Sequence, residues 1–289
     1  MKLPRFYIRR AFKIIPSFFF LVLALWWTGA LALTPMQWLS FLTFTQNYVL
    51  EGRSGPTWSL AVEEHFYILF PLALIAAIKV GRRLSNPHVF PWFLLFVAGC
   101  CLALRIINAV AGIDEDDFML SHFRVDSIMT GVGCYYLWSR HPQWIEPIVN
   151  RLSLSLALVA LLIMQTLFFD RADEWMFSFG FSLLGVAYGI LLLVVVETRL
   201  FGMAESGISR ALAYVGRKSY NIYLWHYFLL LIPAPGYEAI QLLVLRHFEA
   251  GLASLIQVIV LILYSILVGV IMTAFVEKPF LDLRRRILG

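Results

Sequence analysis

Apolar residues form long runs along this sequence, separated by short polar segments. Several runs reach roughly 20 residues, the length at which a helix crosses the ~30 Å hydrocarbon core of a bilayer. Backbone groups left unpaired in hydrocarbon are costly, so such runs are expected to be helices. The pattern predicts about eight spans, at 14–34, 59–79, 90–110, 118–138, 153–169, 176–196, 219–233 and 253–275.

The fold class expected from this pattern is an all-α, polytopic transmembrane helix bundle. The stretch 38–50, QWLSFLTFTQNYV, is apolar but short, so an interfacial or re-entrant position is expected for it. No polar stretch between the runs is long enough to build a core of its own. Residues 1–289 are therefore expected to form a single transmembrane domain.

The composition agrees with a membrane protein. Hydrophobic residues make up 61% of the 289 residues and charged residues only 14%, whereas a soluble domain carries about a quarter charged residues. The three cysteines, Cys100, Cys101 and Cys134, lie inside apolar runs and lack the spacing of a zinc site. Because no HExxH motif or paired ligand helix occurs either, no metal cofactor is expected.

The basic residues predict the orientation. The net charge is +5, and most of the 23 lysines and arginines fall on alternating short loops and at the two ends of the chain. Cytoplasmic loops retain such residues, so both termini are expected to be cytoplasmic, with the basic side chains facing anionic lipid head groups. They form no continuous surface, which argues against nucleic-acid binding. Compact loops and the lack of organelle signals favour a bacterial inner membrane.

The opening residues also resemble a signal peptide, with a basic region, an apolar core and an Ala-x-Ala-like end at 30–32. However, the apolar run continues to a spanning length, and its removal would place the basic C-terminus on the other side. A retained first span is therefore favoured.

A pair of acidic residues opens the second predicted span, in the run WSLAVEEHFY at 58–67. Tryptophan, tyrosine and acidic residues at the start of a helix suit an interfacial belt. That interpretation does not explain two adjacent acids followed at once by an apolar run. Glu63 and Tyr67 are four residues apart and share a helix face, so Glu63 is favoured as the functional acid.

The fourth predicted span carries His122, Arg124 and Asp126 near its outer end. Ionisable residues within a span usually face the bundle interior or a water-filled cavity and mark functional sites. His122 and Asp126 are four residues apart and could pair, and a structural ion pair is the alternative interpretation. Arg105, near the outer end of the third span, is more readily explained by snorkelling to the head groups. Glu63, Arg124 and Asp126 are expected to surround one wet pocket.

The seventh predicted span begins SYNIYLWH at 219–226, which places Ser219, Tyr223 and His226 on one stripe. A histidine can act as a general base or acid near neutral pH. It can equally form an interhelical hydrogen bond, and the sequence does not decide between these roles.

A basic cluster of Arg9, Arg10 and Lys13 precedes the first predicted span. Cytoplasmic anchoring alone would explain it. Guanidinium groups at this depth would also hold the phosphates of a cofactor that approaches from the cytoplasm.

These segments together resemble the acyltransferase-3 family of integral membrane enzymes. The matching pieces occur in the family's order along essentially the whole chain: FYIRRAFKIIP at 6–16, WSLAVEEHFYILFPL at 58–72, HFRVD at 122–126, SYNIYLWH at 219–226 and VEKPF at 276–280. The WSLAVEEHFY run is the specific element, and the others are persuasive as a series.

The resemblance implies transfer of an acyl group, acetyl above all, from acyl-CoA to a hydroxyl of an extracytoplasmic saccharide or a similar acceptor. It implies donor binding by Arg9, Arg10 and Lys13, and roles on the acceptor side for Glu63, Arg124 and Asp126. His226 remains a catalytic candidate from its own place in the seventh span, since it does not match the position of the family's catalytic histidine. It also implies ten spans, with a catalytic arginine and histidine on a first helix. This sequence begins where the third family helix begins, so two family helices are expected to be missing.

Two other functions remain open from the sequence. One is a catalytically silent membrane protein that binds the acceptor, lipid or a protein partner, whose identity the sequence does not indicate. The other is a secondary transporter that uses Arg124, Asp126 and His226 as a relay, although no inverted repeat is evident.

Overall fold

The computed structural model describes residues 3–50, 55–86, 88–112, 117–171, 173–198, 207–231 and 250–288. Within these ranges the regular structure is helical and no strand occurs, so the expected all-α class is confirmed there. The helices are α1 (Leu3–Trp27), α2 (Pro35–Leu42), α3 (Gln46–Val49), α4 (Thr57–Arg83), α5 (Val89–Ala111), α6 (Val125–Arg140), α7 (Pro142–Asn150), α8 (Leu152–Met164), α9 (Phe181–Thr198), α10 (Gly207–Gly216), α11 (Ser219–Leu231), α12 (Ala250–Met272) and α13 (Lys278–Leu288).

Tighter and wider helical turns join some of these helices. Short 3₁₀ turns occur at Asp117–Met119, Ser121–Phe123 and Gln165–Leu167, and π-helical turns occur at Met176–Gly180 and Thr273–Glu277. A π turn inserts an extra residue and leaves a backbone carbonyl without its usual partner, which is why such turns are frequent at functional sites.

Four stretches of the described chain are long and apolar enough to cross a membrane: Thr57–Arg83, Val89–Ala111, Met176–Thr198 and Leu255–Leu288. The pair Pro142–Asn150 and Leu152–Leu167 is bent by 88° and makes a fifth if it forms one broken span. The predicted count of eight is therefore not confirmed. One reason is that 3₁₀ turns occupy the start of the predicted span 118–138. The cytoplasmic position of both termini stays a prediction.

The surface of α5 shows why the chain needs a bilayer. Its apolar window has a mean hydropathy of 2.2, yet only 11% of that window is buried inside the protein. Leu95, Phe96 and Ile107 are 62%, 69% and 64% exposed. Soluble proteins rarely expose an apolar face of this extent, whereas hydrocarbon solvates it without cost. The chain is an integral membrane protein.

The described helices fall into two compact units, Met1–Leu39 with Arg210–Gly289, and Ser40–Ser209. We call them the terminal unit and the central unit. The boundary between Leu39 and Ser40 lies within α2. The expectation of one domain over 1–289 stays a prediction.

In the terminal unit, α11 packs along α12, and α1 contacts α11, α13 and the π turn between α12 and α13. Gly269 permits the close approach of α12 to α11, because a Cβ at this position would lie 2.6 Å from the Cα of Ile222. Small residues at such contacts let helix backbones approach closely in membrane proteins.

In the central unit, α5 packs against α4 and α6, and α9 packs against α6, α7 and α8. The π turn at Met176–Gly180 leads directly into α9 and contacts α5. Phe123, Met176, Phe177 and Phe181 form a buried cluster where these elements meet.

We expect Gly269→Ala to destabilise the protein by about 1–3 kcal/mol, because the added methyl group must displace the α11 backbone. Gly99→Ala on α5 is the matched control, since a Cβ there meets nothing within 4 Å. Thermal unfolding of both variants in detergent tests the prediction. An equal effect of the two substitutions would contradict the described α11–α12 contact.

Candidate functional site

A buried ion pair joins α5 to the start of α6. The Arg105 side chain is fully buried, and its Nη1 and Nη2 donate to Asp126 Oδ1 and Oδ2 at 3.1 and 2.8 Å. This bidentate arrangement matches the planar guanidinium to the planar carboxylate. Asp126 was predicted as a site residue, and the structure shows that both of its oxygens are already engaged.

The remaining donors of Arg105 are satisfied by other elements of the central unit. Its Nε donates to the Ser178 carbonyl at 3.3 Å, and Nη1 donates to the Phe123 carbonyl. Nη2 donates to the Ser182 hydroxyl, which in turn donates to Asp126 Oδ2 at 2.8 Å. Ser178 lies in the π turn, which presents its carbonyl to the arginine.

Two sequence interpretations are corrected by this geometry. Asp126 pairs with Arg105 instead of His122, and the His122 Nδ1 lies 3.1 Å from the Tyr48 hydroxyl. Arg105 does not snorkel to the head groups, because its side chain is 0% exposed. A buried cation needs a buried counter-charge, and Asp126 lies within reach.

Arg124 is held differently from Arg105. Its guanidinium carbon lies 4.1 Å from the ring centroid of Phe181 and 5.6 Å from that of Trp58. Its buried Nη1 has no hydrogen-bond partner among the described residues. The aromatic faces stabilise the charge while leaving donor capacity unused.

A cavity of about 290 Å³ adjoins Arg124 and is lined otherwise by α6 and α9 residues that include Ser127, Thr130 and Tyr188. Neither Glu63 nor Asp126 lines it. Glu63 lies half-buried on α4, where the Tyr67 hydroxyl donates to its Oε2 at 3.4 Å, which confirms their shared face. Glu63, Arg124 and Asp126 therefore do not line this cavity together, and a joint role for them stays a prediction.

A second polar cluster, which the sequence did not reveal, joins α3, α4 and the 3₁₀ turn before α6. His65 Nδ1 lies 2.7 Å from the Ser121 Oγ, and Asn47 Nδ2 lies 2.9 Å from the same oxygen. The available signal was the pair of polar residues Gln46 and Asn47 inside the apolar stretch 38–50, both of which are buried.

In the terminal unit, the predicted donor-binding residues lie on the first turns of α1. Arg9 is exposed and Arg10 is half-buried, and the Arg10 guanidinium stacks on Phe6 at 5.8 Å. Lys13 differs because its ammonium pairs with Glu277 in the π turn before α13. Glu277 is 2% exposed.

Glu277 is also bonded by α11. Its Oε2 accepts from Asn221 Nδ2, which lies 3.1 Å from the Thr273 hydroxyl as well. Lys13 is therefore part of a buried network with Glu277 and Asn221.

His226, predicted as an acid–base residue, lies one turn after Tyr223 on α11. Its Nδ1 contacts the Tyr223 carbonyl. A carbonyl only accepts, so Nδ1 carries the proton and Nε2 is the basic nitrogen. Within the described ranges, no three His, Cys, Asp or Glu side chains gather closely enough to hold a metal ion.

Comparison with known protein families identifies the family to which this chain belongs. The family model described as an acyltransferase domain, acyltransferase-3, matches residues 1–274. The chain belongs to the acyltransferase-3 family. The sequence resemblance is thereby confirmed, and the motif on α4 and the His122–Asp126 segment lie within the matched acyltransferase range.

Known relatives of this acyltransferase-3 chain come from Staphylococcus aureus. O-acetyltransferase OatA of strain NCTC 8325 / PS 47 is 26% identical over 229 residues, which cover 77% of this chain and 35% of the relative. OatA of strain COL matches to the same extent. The chain thus spans about a third of these curated relatives. No solved structure matches it.

We expect Arg105→Met to lower the stability of the acyltransferase chain by about 3–5 kcal/mol, because it leaves the Asp126 carboxylate buried without a counter-ion. The double variant Arg105→Met/Asp126→Leu should recover most of this loss, since both charges are removed together. Thermal unfolding in detergent measures both effects. A double variant no more stable than Arg105→Met would contradict the pairing of Arg105 with Asp126.

Proposed function

We propose that this chain transfers an acyl group, in particular acetyl, from acyl-CoA to a hydroxyl of an extracytoplasmic saccharide or a similar acceptor. The match of the acyltransferase family model to residues 1–274 carries the proposal. The names of the OatA relatives support acetyl as the group and oxygen as the acceptor atom. The setting is the bacterial inner membrane, with lipid around the helices.

On the acceptor side, Arg124 is the residue that we assign to charge stabilisation. Acyl transfer to a hydroxyl passes through a tetrahedral intermediate with a negative oxygen, and fixed donors aimed at that oxygen lower the barrier. Arg124 brings a cation with an unused buried N–H to the wall of a cavity. These features suit it to bind the developing oxyanion or a polar acceptor group.

Asp126 and Glu63 receive different roles in this proposal. Asp126 is two residues from Arg124 and is fixed by Arg105, so it acts as a positioning residue. Glu63 would accept a proton from, or hydrogen-bond to, the acceptor hydroxyl, and Tyr67 orients its carboxylate. A positioned carboxylate in this role typically contributes about 10²–10⁴-fold in rate.

On the donor side, Arg9 and Arg10 would hold the phosphates of acyl-CoA, and Lys13 would contribute through its pairing with Glu277. Guanidinium groups bind phosphate in a bidentate manner. The basic Nε2 of His226 would serve as a further acid–base group in the terminal unit.

The first test compares acetyl transfer by Arg124→Gln with that by the parent chain, using labelled acetyl-CoA and membranes that contain the acceptor. We expect a loss of about 10²–10³ in rate, because one oxyanion donor is removed. Arg171→Gln is the matched control, since Arg171 also stacks on an aromatic ring, at 4.9 Å from Phe118, but lies on the exposed surface. Unchanged transfer by Arg124→Gln would disprove its assignment.

A second test addresses the donor. Arg10→Gln should raise the KM for acetyl-CoA about tenfold or more, since a hydrogen bond from a charged group contributes about 1.5–3 kcal/mol. Arg285→Gln removes an exposed basic residue that pairs with Asp282 and serves as the control. Equal KM values for the two variants would remove Arg10 from the donor site.

A further inference from the structure

The central unit contains a cavity that the proposed function does not use. It has a volume of about 440 Å³ and lies between α4, α5 and the start of α6. Tyr48, His65, Ser121 and His122 contribute its polar groups. The rest of the wall is apolar: Val62, Phe66, Leu69, Phe70, Phe93 and Met129 are among its residues. Small-molecule sites commonly combine this volume, apolar walls and a few convergent polar groups.

The hydrogen bonds of Asn47 determine the direction of those at Ser121. Asn47 Nδ2 lies 3.1 Å from the Met119 carbonyl and 2.9 Å from Ser121 Oγ. Because a carbonyl only accepts, the amide must place its NH₂ group on this side. Its two N–H groups therefore donate to Met119 and to Ser121.

Ser121 has a single proton, and His65 is the acceptor available for it. With Oγ accepting from Asn47, its one O–H proton can be donated to His65 Nδ1 at 2.7 Å when His65 is the Nε2–H tautomer. His65 Nδ1 is then unprotonated and holds the lone pair that can take the serine proton. A hydroxyl within hydrogen-bond reach of a base is the pairing of an activated nucleophile, and Asn47 orients the hydroxyl of this pair.

Burial favours a chemical role for this pair. Ser121 is 8% exposed, yet both it and His65 line the cavity. The nucleophile therefore lies at the wall of a largely apolar cavity that can receive a substrate. The apolar walls would accommodate the hydrocarbon part of an acyl group.

We propose that Ser121 is an acyl-accepting nucleophile, with His65 as its base and Asn47 as a positioning residue. The substrate class is an activated acyl ester or thioester; its identification with the acyl-CoA donor rests on the proposed function. The Ser121 Oγ bonds to the acyl carbon, and the bond from that carbon to the leaving group breaks. His65 takes the serine proton and gives it to the leaving thiolate or alkoxide. An acceptor hydroxyl then attacks the acyl carbon of the acyl-serine, and His65 takes the hydroxyl proton and gives it to Ser121 Oγ as the bond from Oγ to the acyl carbon breaks.

A fluorophosphonate probe tests the nucleophile without an acyl donor. The activated serine attacks phosphorus and releases fluoride, which leaves a stable adduct that peptide mass spectrometry can locate. We expect the detergent-solubilised chain to be labelled at Ser121, and Ser121→Ala to abolish the adduct. Ser155→Ala is the matched control, because Ser155 is also 8% exposed but donates to the Ile148 carbonyl at 2.7 Å and has no base.

The variant His65→Gln distinguishes the loss of the base from a loss of the folded structure. Glutamine can still accept the Ser121 hydrogen bond through its amide oxygen, so the variant should fold, but it cannot take the proton. Its labelling rate should fall by about 10²–10⁴-fold. Labelling that persists in this variant, or an adduct at another residue in place of Ser121, would overturn the proposal.

Acetyl transfer measured on the same preparations separates the two proposals. Transfer that proceeds at the parent rate in Ser121→Ala would overturn the nucleophile and leave the proposed function standing. Labelling at Ser121 that depends on His65, in a chain that transfers no acetyl, would support the nucleophile and contradict the proposed function.

Discussion

The ion pair between Arg105 and Asp126 is the constraint on which the central unit depends. In a low-dielectric interior, a charge without a partner costs far more than any single packing contact contributes. The pair is fully buried, and its hydrogen bonds reach the Phe123 carbonyl, the π turn and α9. Three segments distant in sequence are thereby held in one arrangement: α5, residues 123–126, and the continuous stretch of the π turn and α9.

This arrangement also places the residues that we assign to chemistry. The Phe123 carbonyl and Asp126 are bonded by Arg105, so the intervening Arg124 is held in a short segment with both sides fixed. Ser182 is bonded to the same pair, and the preceding Phe181 carries the Arg124 guanidinium on its ring. The buried Arg105–Asp126 pair thus positions Arg124, whose Nη1 can still donate a hydrogen bond.

The sequence predicted what depends on local pattern. Long apolar runs predicted helices, and spacing of four placed Glu63 and Tyr67 on one face. The sequence could not predict which residues pair across the fold. Arg105 and Asp126 lie on different helices, and His65 and Ser121 are 56 residues apart. The π turn that offers the Ser178 carbonyl has no sequence signal that the apolar pattern reveals. The sequence therefore offers the nearer His122 as a possible partner of Asp126, and it does not indicate the pairing with Arg105 that the structure shows.

We propose that this acyltransferase-3 chain esterifies hydroxyls outside the cytoplasm. The most direct measurement is the content of ester-linked acetyl groups on cell-surface saccharides, with the gene present, deleted and restored. We expect these esters to fall on deletion and to return with the gene, but not with a copy that carries Arg124→Gln. An acetyl content that is the same in all of these strains would contradict it.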